Sequence, residues 1–392
     1  MNKKIKSSIM PTYGERELEF VKGKDCYLFT SDGKKYLDFA GGIAVNSLGH
    51  CHPKLVKALK KQAETLWHTS NLYYNQNQEE YANMLCKNSF ADKVFFTNSG
   101  AEAIECGIKV IRSYWNHHKK NKKKIITFDG AFHGRTFAAI SAQQNAKYSS
   151  GFEPLLPGFC KASFNDISSL ESLIDSDTAA ILIEPIQGEG GIRTANLDFL
   201  KSIRDICNQN NILLFLDEVQ SGFGRSGKMF SYEWADIKPD ILASAKGIGS
   251  GFPMGACLST NQACIGMSKG THGSTYGGNA LAVSVGKAVL EIIGNKNFLE
   301  SVDKTARYLW KKLKKLEQIH EDILEIRGAG LLLGIKTKSN NLKVSQALKK
   351  NLLLNVTASE NVVRLAPPLI ITKEHVDDAT DIIDKTFKEL ND

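Results

Sequence analysis

An acidic pair closing one apolar run and a lysine closing another are the residues with the plainest chemical use. The first run is Ile212-Leu-Leu-Phe-Leu-Asp217-Glu-Val-Gln220, and the second is Asp240-Ile-Leu-Ala-Ser-Ala-Lys246-Gly. A lysine at the end of a buried run is desolvated, which disfavours the ammonium and favours the free amine. A free amine condenses with aldehydes, including that of pyridoxal phosphate (PLP). An aspartate such as Asp217 can hold a pyridine nitrogen protonated, so that the ring accepts electrons. Together the two imply PLP chemistry; neither does so alone.

Four further segments bear polar or small residues where such a cofactor would need them. Thr97-Asn-Ser99-Gly100-Ala101-Glu102 joins an apolar run to a helical pattern. Small residues there let backbone amides approach a phosphate at a helix start. In Asp129-Gly-Ala-Phe132-His133-Gly-Arg135-Thr, an aromatic after a Gly turn could lie on a planar ring; core packing for Phe132 and a surface ion pair for Arg135 are the plainer alternatives. Glu184-Pro-Ile-Gln-Gly-Glu189-Gly-Gly places two carboxylates in a loop that offers little core, although acidic loops are commonly just solvated. Gly273-Ser274-Thr275-Tyr-Gly-Gly-Asn279 offers hydroxyls and amides ahead of another helix, or simple turn chemistry.

One segment is a decoy. Gly222, Gly224 and Gly227 imitate a dinucleotide-binding pattern, and Gly222 to Lys228 nearly spells a P-loop. The first needs a helix opening within the glycines but meets Met229-Phe-Ser-Tyr; the second needs Ser or Thr after the lysine and meets Met229. Both are excluded.

These groups need strands to end where they stand. Apolar runs predict strands over Val94–Thr97, Ile125–Phe128, Ala179–Glu184, Ile212–Asp217, Ile241–Ala245 and Gly255–Ser259. Helical spacing predicts helices over Pro53–Trp67, Glu79–Asn88, Ala101–Asn116, Leu197–Gln209 and Ala280–Ile293. The alternation is that of a mainly parallel α/β sheet. Past Asn295 the pattern changes to a charged helix, Phe298–Glu317, strands at Ile323–Arg327 and Gly330–Ile335, and a last helix at Lys373–Glu389. Near the start, Lys24–Phe29 and Lys35–Phe39 around Asp32-Gly33 read as a hairpin. The expected units are an N-terminal segment 1–50 packing with a small α+β domain 295–392, and a large cofactor domain 51–294.

At 392 residues, 42% hydrophobic and 23% charged, the chain has an ordinary globular composition. Its apolar runs fall far short of the ~18 residues that span a bilayer, and the basic start Met1-Asn-Lys-Lys-Ile-Lys lacks a signal-peptide core. A cytoplasmic location is expected. The eight cysteines show no zinc spacing and read as reduced thiols; no metal is expected. Much of the +8 net charge lies in the N-terminal tail and in His117-His-Lys-Lys-Asn-Lys-Lys-Lys124, a solvated loop without the interleaved aromatics of a nucleic-acid surface. Positive potential still suits anionic substrates.

Taken jointly, Ser99-Gly-Ala-Glu-Ala, Phe132-His-Gly-Arg-Thr, Glu184-Pro-Ile-Gln-Gly-Glu-Gly-Gly, Asp217-Glu-Val-Gln and Gly273-Ser-Thr-Tyr-Gly-Gly-Asn resemble the class III (ω) aminotransferases. The likeness runs from Tyr13 to Pro368 and is nearest the branch that acts on N-acetylornithine, with departures such as Tyr276 and Ala280. It implies PLP fold type I, like aspartate aminotransferase, with a mainly parallel seven-stranded sheet and a smaller α+β domain. It implies that Lys246 holds PLP covalently, Asp217 faces the pyridine nitrogen, Gln220 the ring hydroxyl, and Phe132 the ring face. Ser99, Gly100, Ala101, His133 and Glu184 complete the cofactor set, with Thr275 reaching the partner's cofactor in a homodimer. Tyr13, Arg135, Glu189, Ser274 and Arg364 fall to the substrate. The implied activity moves the terminal amine of N-acetylornithine to 2-oxoglutarate; ornithine, succinyldiaminopimelate and 4-aminobutyrate are alternative donors. The residues further suggest that Glu189 pairs with Arg364 while the amino donor is bound and swings away for the keto acid.

Overall fold

A computed structural model describes residues 7–14 and 17–391, so the lysines of the Met1–Lys6 tail lie outside the described residues. Its centre is a seven-stranded sheet ordered Lys93–Thr97, Gly255–Ser259, Ile241–Ser244, Leu213–Asp217, Thr178–Ile183, Lys124–Phe128, Phe159–Ala162. Gly255–Ser259 is antiparallel to both neighbours, and the other strand pairs are parallel. Thr178–Ile183 and Leu213–Asp217 are buried at every position. Such continuous runs, rather than alternating ones, belong to strands covered on both faces. Because the strands run parallel, their C-terminal ends gather Ser99, His133, Glu184, Asp217 and Lys246 along one edge.

The helix Gly100–His117 lies across five of these strands. Its close approach depends on Gly107, where a Cβ would come within 2.2 Å of the Phe215 ring. Helices Pro53–Ala63 and Gln76–Lys87 pack on Ala280–Ile293. The first was expected to reach Trp67. It stops at Ala63 because side chains take the last carbonyls: Trp67 Nε1 donates to Ala63 O at 2.7 Å and Thr65 Oγ1 to Lys61 O at 2.8 Å.

Two smaller sheets flank the core. Ile323–Ala329, Leu332–Thr337, Val362–Leu365 and Val356–Ala358 form an antiparallel sheet, backed by helices Lys296–Ile319, Asn341–Lys350 and Lys373–Asn391. The expected hairpin near the start is three strands, Phe20–Lys24, Tyr27–Thr30 and Lys35–Asp38, because Asp25 at φ +52 breaks the first run. Their sheet takes its fourth strand, Leu353–Leu354, from the C-terminal part of the chain. In the basic run after Trp115, Lys122 Nζ sits 4.6 Å from that ring's centroid, so part of the charge covers an aromatic surface.

Gly107→Ala should lower the thermal midpoint even though alanine is the better helix former. Overpacking against Phe215 costs about 1–3 kcal/mol, more than the ~1 kcal/mol gained in helix propensity. A raised midpoint in a thermal scan would show that the helix is free to lift off the sheet.

Candidate active site

Lys246 follows strand Ile241–Ser244 with φ +48, a left-handed conformation that costs a non-glycine residue about 1–3 kcal/mol. The turn that holds it there is specific: Gly249 N and Ser250 N donate to Lys246 O at 3.1 and 3.2 Å. The side chain lines a cavity of about 370 Å³ with Asp217, Glu184, Phe132, His133 and Gln220. Burial, reinforced by the Arg364 charge, depresses its ammonium to about 8, against the pull of Glu189, Asp217 and Glu184. The amine is therefore available near neutral pH.

Asp217 ends the neighbouring strand. His133 Nδ1 lies 2.7 Å from its Oδ2, and Val219 N donates to its Oδ1 at 3.1 Å. Both oxygens are engaged inside the protein, which orients the carboxylate. Glu184 ends the next strand over, where Phe132 N donates to its Oε2 at 2.9 Å. Burial first, and the Asp217 charge second, push Glu184 well above the usual carboxylate range. Three adjacent strands thus deliver a lysine, a carboxylate held by His133 and an acid that favours its proton.

At the far strand end, Ser99 caps the helix Gly100–His117, its Oγ accepting from Glu102 N at 3.2 Å. The Glu102 carboxylate turns back to Asn98 N at 2.7 Å. The first-turn amides of Gly100 and Ala101 have no acceptor within the helix and line the cavity. A Cβ on Gly100 would meet Val219 at 2.8 Å, and one on Gly134 would meet Ala101 at 2.9 Å, so only glycine permits this narrow cradle. An anion-binding helix start, a buried acid, an aromatic face and a desolvated lysine in one cavity fit a phosphorylated pyridine aldehyde. His133 Nε2, buried without a partner among the described residues, also faces that space.

Arg364 comes from the C-terminal sheet and is 1% exposed. Its Nη1 lies 2.7 Å from Glu189 Oε1 and donates to Gln220 Oε1 at 2.9 Å. Gln220 therefore has only its amide NH₂ left to offer a ring oxygen. Arg364 Nε and Nη2 have no partner among the described residues, leaving one edge of the fork open to a carboxylate.

The remaining expected residues lie further out. Arg135 is exposed at the rim, its guanidinium 4.1 Å from the Tyr148 ring centroid. Ser274 Oγ accepts from Gly277 N at 2.9 Å and, at 3.4 Å, from Asn98 Nδ2. Thr275 and Tyr13 are exposed and do not line the cavity of this chain. Sequence reasoning overlooked the wall formed by Val45 and by Gly251, Phe252, Pro253 and Met254. The glycines and proline just after Lys246 were its visible signal.

The family model for class-III aminotransferases matches residues 10–387. The chain is 50% identical to acetylornithine aminotransferase of Brucella melitensis over 382 residues, covering 97% of this chain and 95% of that one. It is 51% identical to acetylornithine aminotransferase of Agrobacterium fabrum over 370 residues, covering 93% and 92%. Among solved structures, ornithine aminotransferase of Toxoplasma gondii superposes with a TM-score of 0.94 at 31% identity, covering 98% and 93%. Acetylornithine aminotransferase of Elizabethkingia anophelis gives 0.86 at 35% identity, covering 97% and 96%.

Lys246 also couples to stability. An unfolded lysine keeps its proton to about 10.4, whereas the folded one loses it near 8. Between these values the unfolded chain binds more protons, so stability rises with pH across the window. In cofactor-free protein, Lys246→Met should be stabilising at pH 7, and that advantage should shrink by pH 10 in paired thermal scans. An advantage independent of pH would show that Lys246 does not titrate in this range.

Proposed function

The chain belongs to the class-III aminotransferases, and on that premise we infer that it moves the δ-amino group of N-acetylornithine to 2-oxoglutarate. The products are N-acetylglutamate semialdehyde and glutamate, as in arginine biosynthesis. The choice of donor draws on the names of the relatives about half identical to it. The observation that carries the two-substrate reading is the 2.7 Å Glu189–Arg364 pair beside the lysine cavity.

Bound in the cavity, PLP supplies the electron sink that stabilises negative charge on the carbon bearing the transferred nitrogen. Asp217, oriented by His133, would hold a proton on the pyridine nitrogen, Phe132 would lie against the ring, and the Gly100 and Ala101 amides would take the phosphate. Lys246 Nζ takes the proton from the donor carbon that bears the amine and holds it for return. Arg135 holds the carboxylate at the far end of each substrate. Arg364 serves only the keto acid's α-carboxylate, so it needs another anion while the donor is bound. A buried guanidinium stripped of its partner costs about 3–5 kcal/mol, and Glu189 supplies that partner. For the keto acid, Glu189 swings away and the open edge of Arg364 engages the incoming carboxylate.

The same reading divides the chain into units 1–50, 51–294 and 295–392 and makes it a cytoplasmic homodimer. Trp67, Leu72, Tyr73, Tyr74 and Tyr276 are large apolar residues left exposed, and clustered exposure of this kind marks partner surfaces. They flank the loop carrying Thr275, which in a dimer reaches the partner's cofactor. Asn71 Nδ2 ties that loop to the apolar segment, donating to Ser274 O at 2.9 Å. Among the described residues no helix is long and apolar enough to cross a membrane.

Side-by-side turnover of N-acetylornithine, ornithine, succinyldiaminopimelate and 4-aminobutyrate with 2-oxoglutarate tests the donor. N-acetylornithine should give the highest kcat/KM, and Lys246→Ala should abolish turnover. Glu189→Ala should slow the acetylornithine half-reaction by roughly 10–100-fold, the worth of a charged hydrogen bond, while sparing the keto-acid half. Equal rates in both halves would refute the switch. Light scattering should give a dimer mass, lost in a Tyr73→Lys, Tyr74→Lys double variant; a monomeric wild type would refute the shared site.

A further inference from the structure

The two arginines read as binding substrate carboxylates are held by different physics. Arg364 is neutralised by Glu189 at 2.7 Å. Arg135 has no carboxylate within ion-pair reach among the described residues. Its guanidinium carbon instead lies 4.1 Å from the Tyr148 ring centroid and 5.5 Å from that of Phe132. The two rings meet edge to face, centroids 5.5 Å apart at 79°, and make an aromatic corner. Phe132 lines the cavity, whereas Arg135 and Tyr148 stand outside that lining, with Tyr148 the nearer ring to the guanidinium.

An aromatic face attracts a cation through its quadrupole but brings no net negative charge. A stacked guanidinium also keeps its donors for in-plane hydrogen bonds, because the ring occupies only its face. An acidic partner would do the opposite, since every incoming carboxylate would first have to displace it. Arg135 is thus steadied by rings, with no acid set against it among the described residues. The platform itself is anchored. Tyr148 stands on the short helix Ala146–Ser149, where Asn145 Oδ1 accepts from Lys147 N at 3.0 Å and Asn145 O accepts from Ser149 Oγ at 3.1 Å. Lys147 Nζ is a second cation near the ring, 5.5 Å from its centroid, so Arg135 holds the nearer place.

We propose that Tyr148 is a specificity-determining positioning residue: it holds Arg135 as a permanently available cation for the far carboxylate of both substrates, and so selects amines that carry one. The proposal rests on the reading of Arg135 given under Proposed function. It separates the two arginines by task, one switched by an acid and one kept constant by an aromatic ring.

The test is steady-state kinetics of the holoenzyme with three substrates: N-acetylornithine, 2-oxoglutarate, and butylamine as a carboxylate-free donor. Tyr148→Ala should raise KM for both carboxylated substrates by roughly three- to tenfold, the range of an exposed to partly desolvated cation–π contact. Its kcat should hold within about twofold, and kcat/KM for butylamine should not change. Tyr148→Phe, which keeps the ring, should behave as wild type. Tyr148→Leu, which keeps apolar bulk, should match the alanine variant and covers the case in which alanine does not fold. Unchanged KM values in the alanine and leucine variants would overturn the proposal. So would a parallel loss with butylamine, or a phenylalanine variant as impaired as alanine. If wild type ignores N-acetylornithine, the donor reading fails by itself; the contrast between 2-oxoglutarate and butylamine still decides the role of Tyr148.

Discussion

Charge held where the sheet admits no water is the constraint on which this cavity depends. Lys246, Asp217 and Glu184 close three strands that are adjacent in the sheet. Those strands are buried at every position, so each end group loses hydration on folding. The responses differ with the company each group keeps. Lys246 shifts toward the free amine. Glu184, next to another acid, shifts toward its protonated form. Asp217 is gripped at one oxygen by the His133 ring and at the other by the Val219 amide. A nucleophile, a fixed carboxylate and a proton-holding acid therefore follow from one burial and three sets of neighbours.

Arg364 reaches that cavity from a different sheet, so its placement relies on the seam between the two. Arg225 forms much of this seam. It is fully buried, and its Nη1 donates to the carbonyls of Leu331, at 3.1 Å, and Pro367. Leu331 N returns a bond to Arg225 O at 2.9 Å. Gly330 lets the backbones meet, because a Cβ there would lie 2.4 Å from Arg225 O and its φ is +57. Pro367 is three residues beyond Arg364, and Arg225 is five beyond Gln220, the residue Arg364 contacts. One loop thus grips the arginine strand at two points, and hydrogen bonds from a charged donor, about 1.5–3 kcal/mol each, make the grip firm.

Much of this was legible in the sequence because strand ends are marked by abrupt changes in residue type. Asp217 and Lys246 each interrupt an apolar run, and helices Leu197–Gln209 and Ala280–Ile293 match their predicted limits. What escaped was short or set by distant contacts. Strand Phe159–Ala162 is a four-residue edge containing Lys161, too brief and too polar for a pattern to show. The hairpin of Ile186–Gln187 with Arg193–Thr194 has two-residue strands. Its tip is pinned from afar, since Ser359 N donates to Glu189 O at 3.0 Å. The Arg225 seam is equally invisible in one dimension, joining residues more than a hundred positions apart.

The neighbouring acid, Glu218, shows why a chain keeps a buried charge that performs no chemistry. Strand alternation turns it away from the cavity that Asp217 faces. Its carboxylate accepts from Ser231 N at 2.7 Å, Tyr232 N at 2.9 Å and Ser221 Oγ at 3.2 Å, closing the loop that follows the strand. Burial pushes its carboxyl up to about 7 despite those donors, so near neutrality its ionised form is held at a cost. An apolar replacement would relieve that cost and orphan two buried amides at about 1–3 kcal/mol each. The same closure explains the glycines that imitate a nucleotide-binding motif. A Cβ on Gly222 would meet Glu218 O at 2.9 Å, and one on Gly224, at φ +83, would meet Leu369 at 2.9 Å. They let the loop fold tightly over its own acid and against the C-terminal segment. That carries Gln220 to Arg364 and Arg225 to Pro367, so the glycine pattern serves the seam with the C-terminal sheet rather than a phosphate.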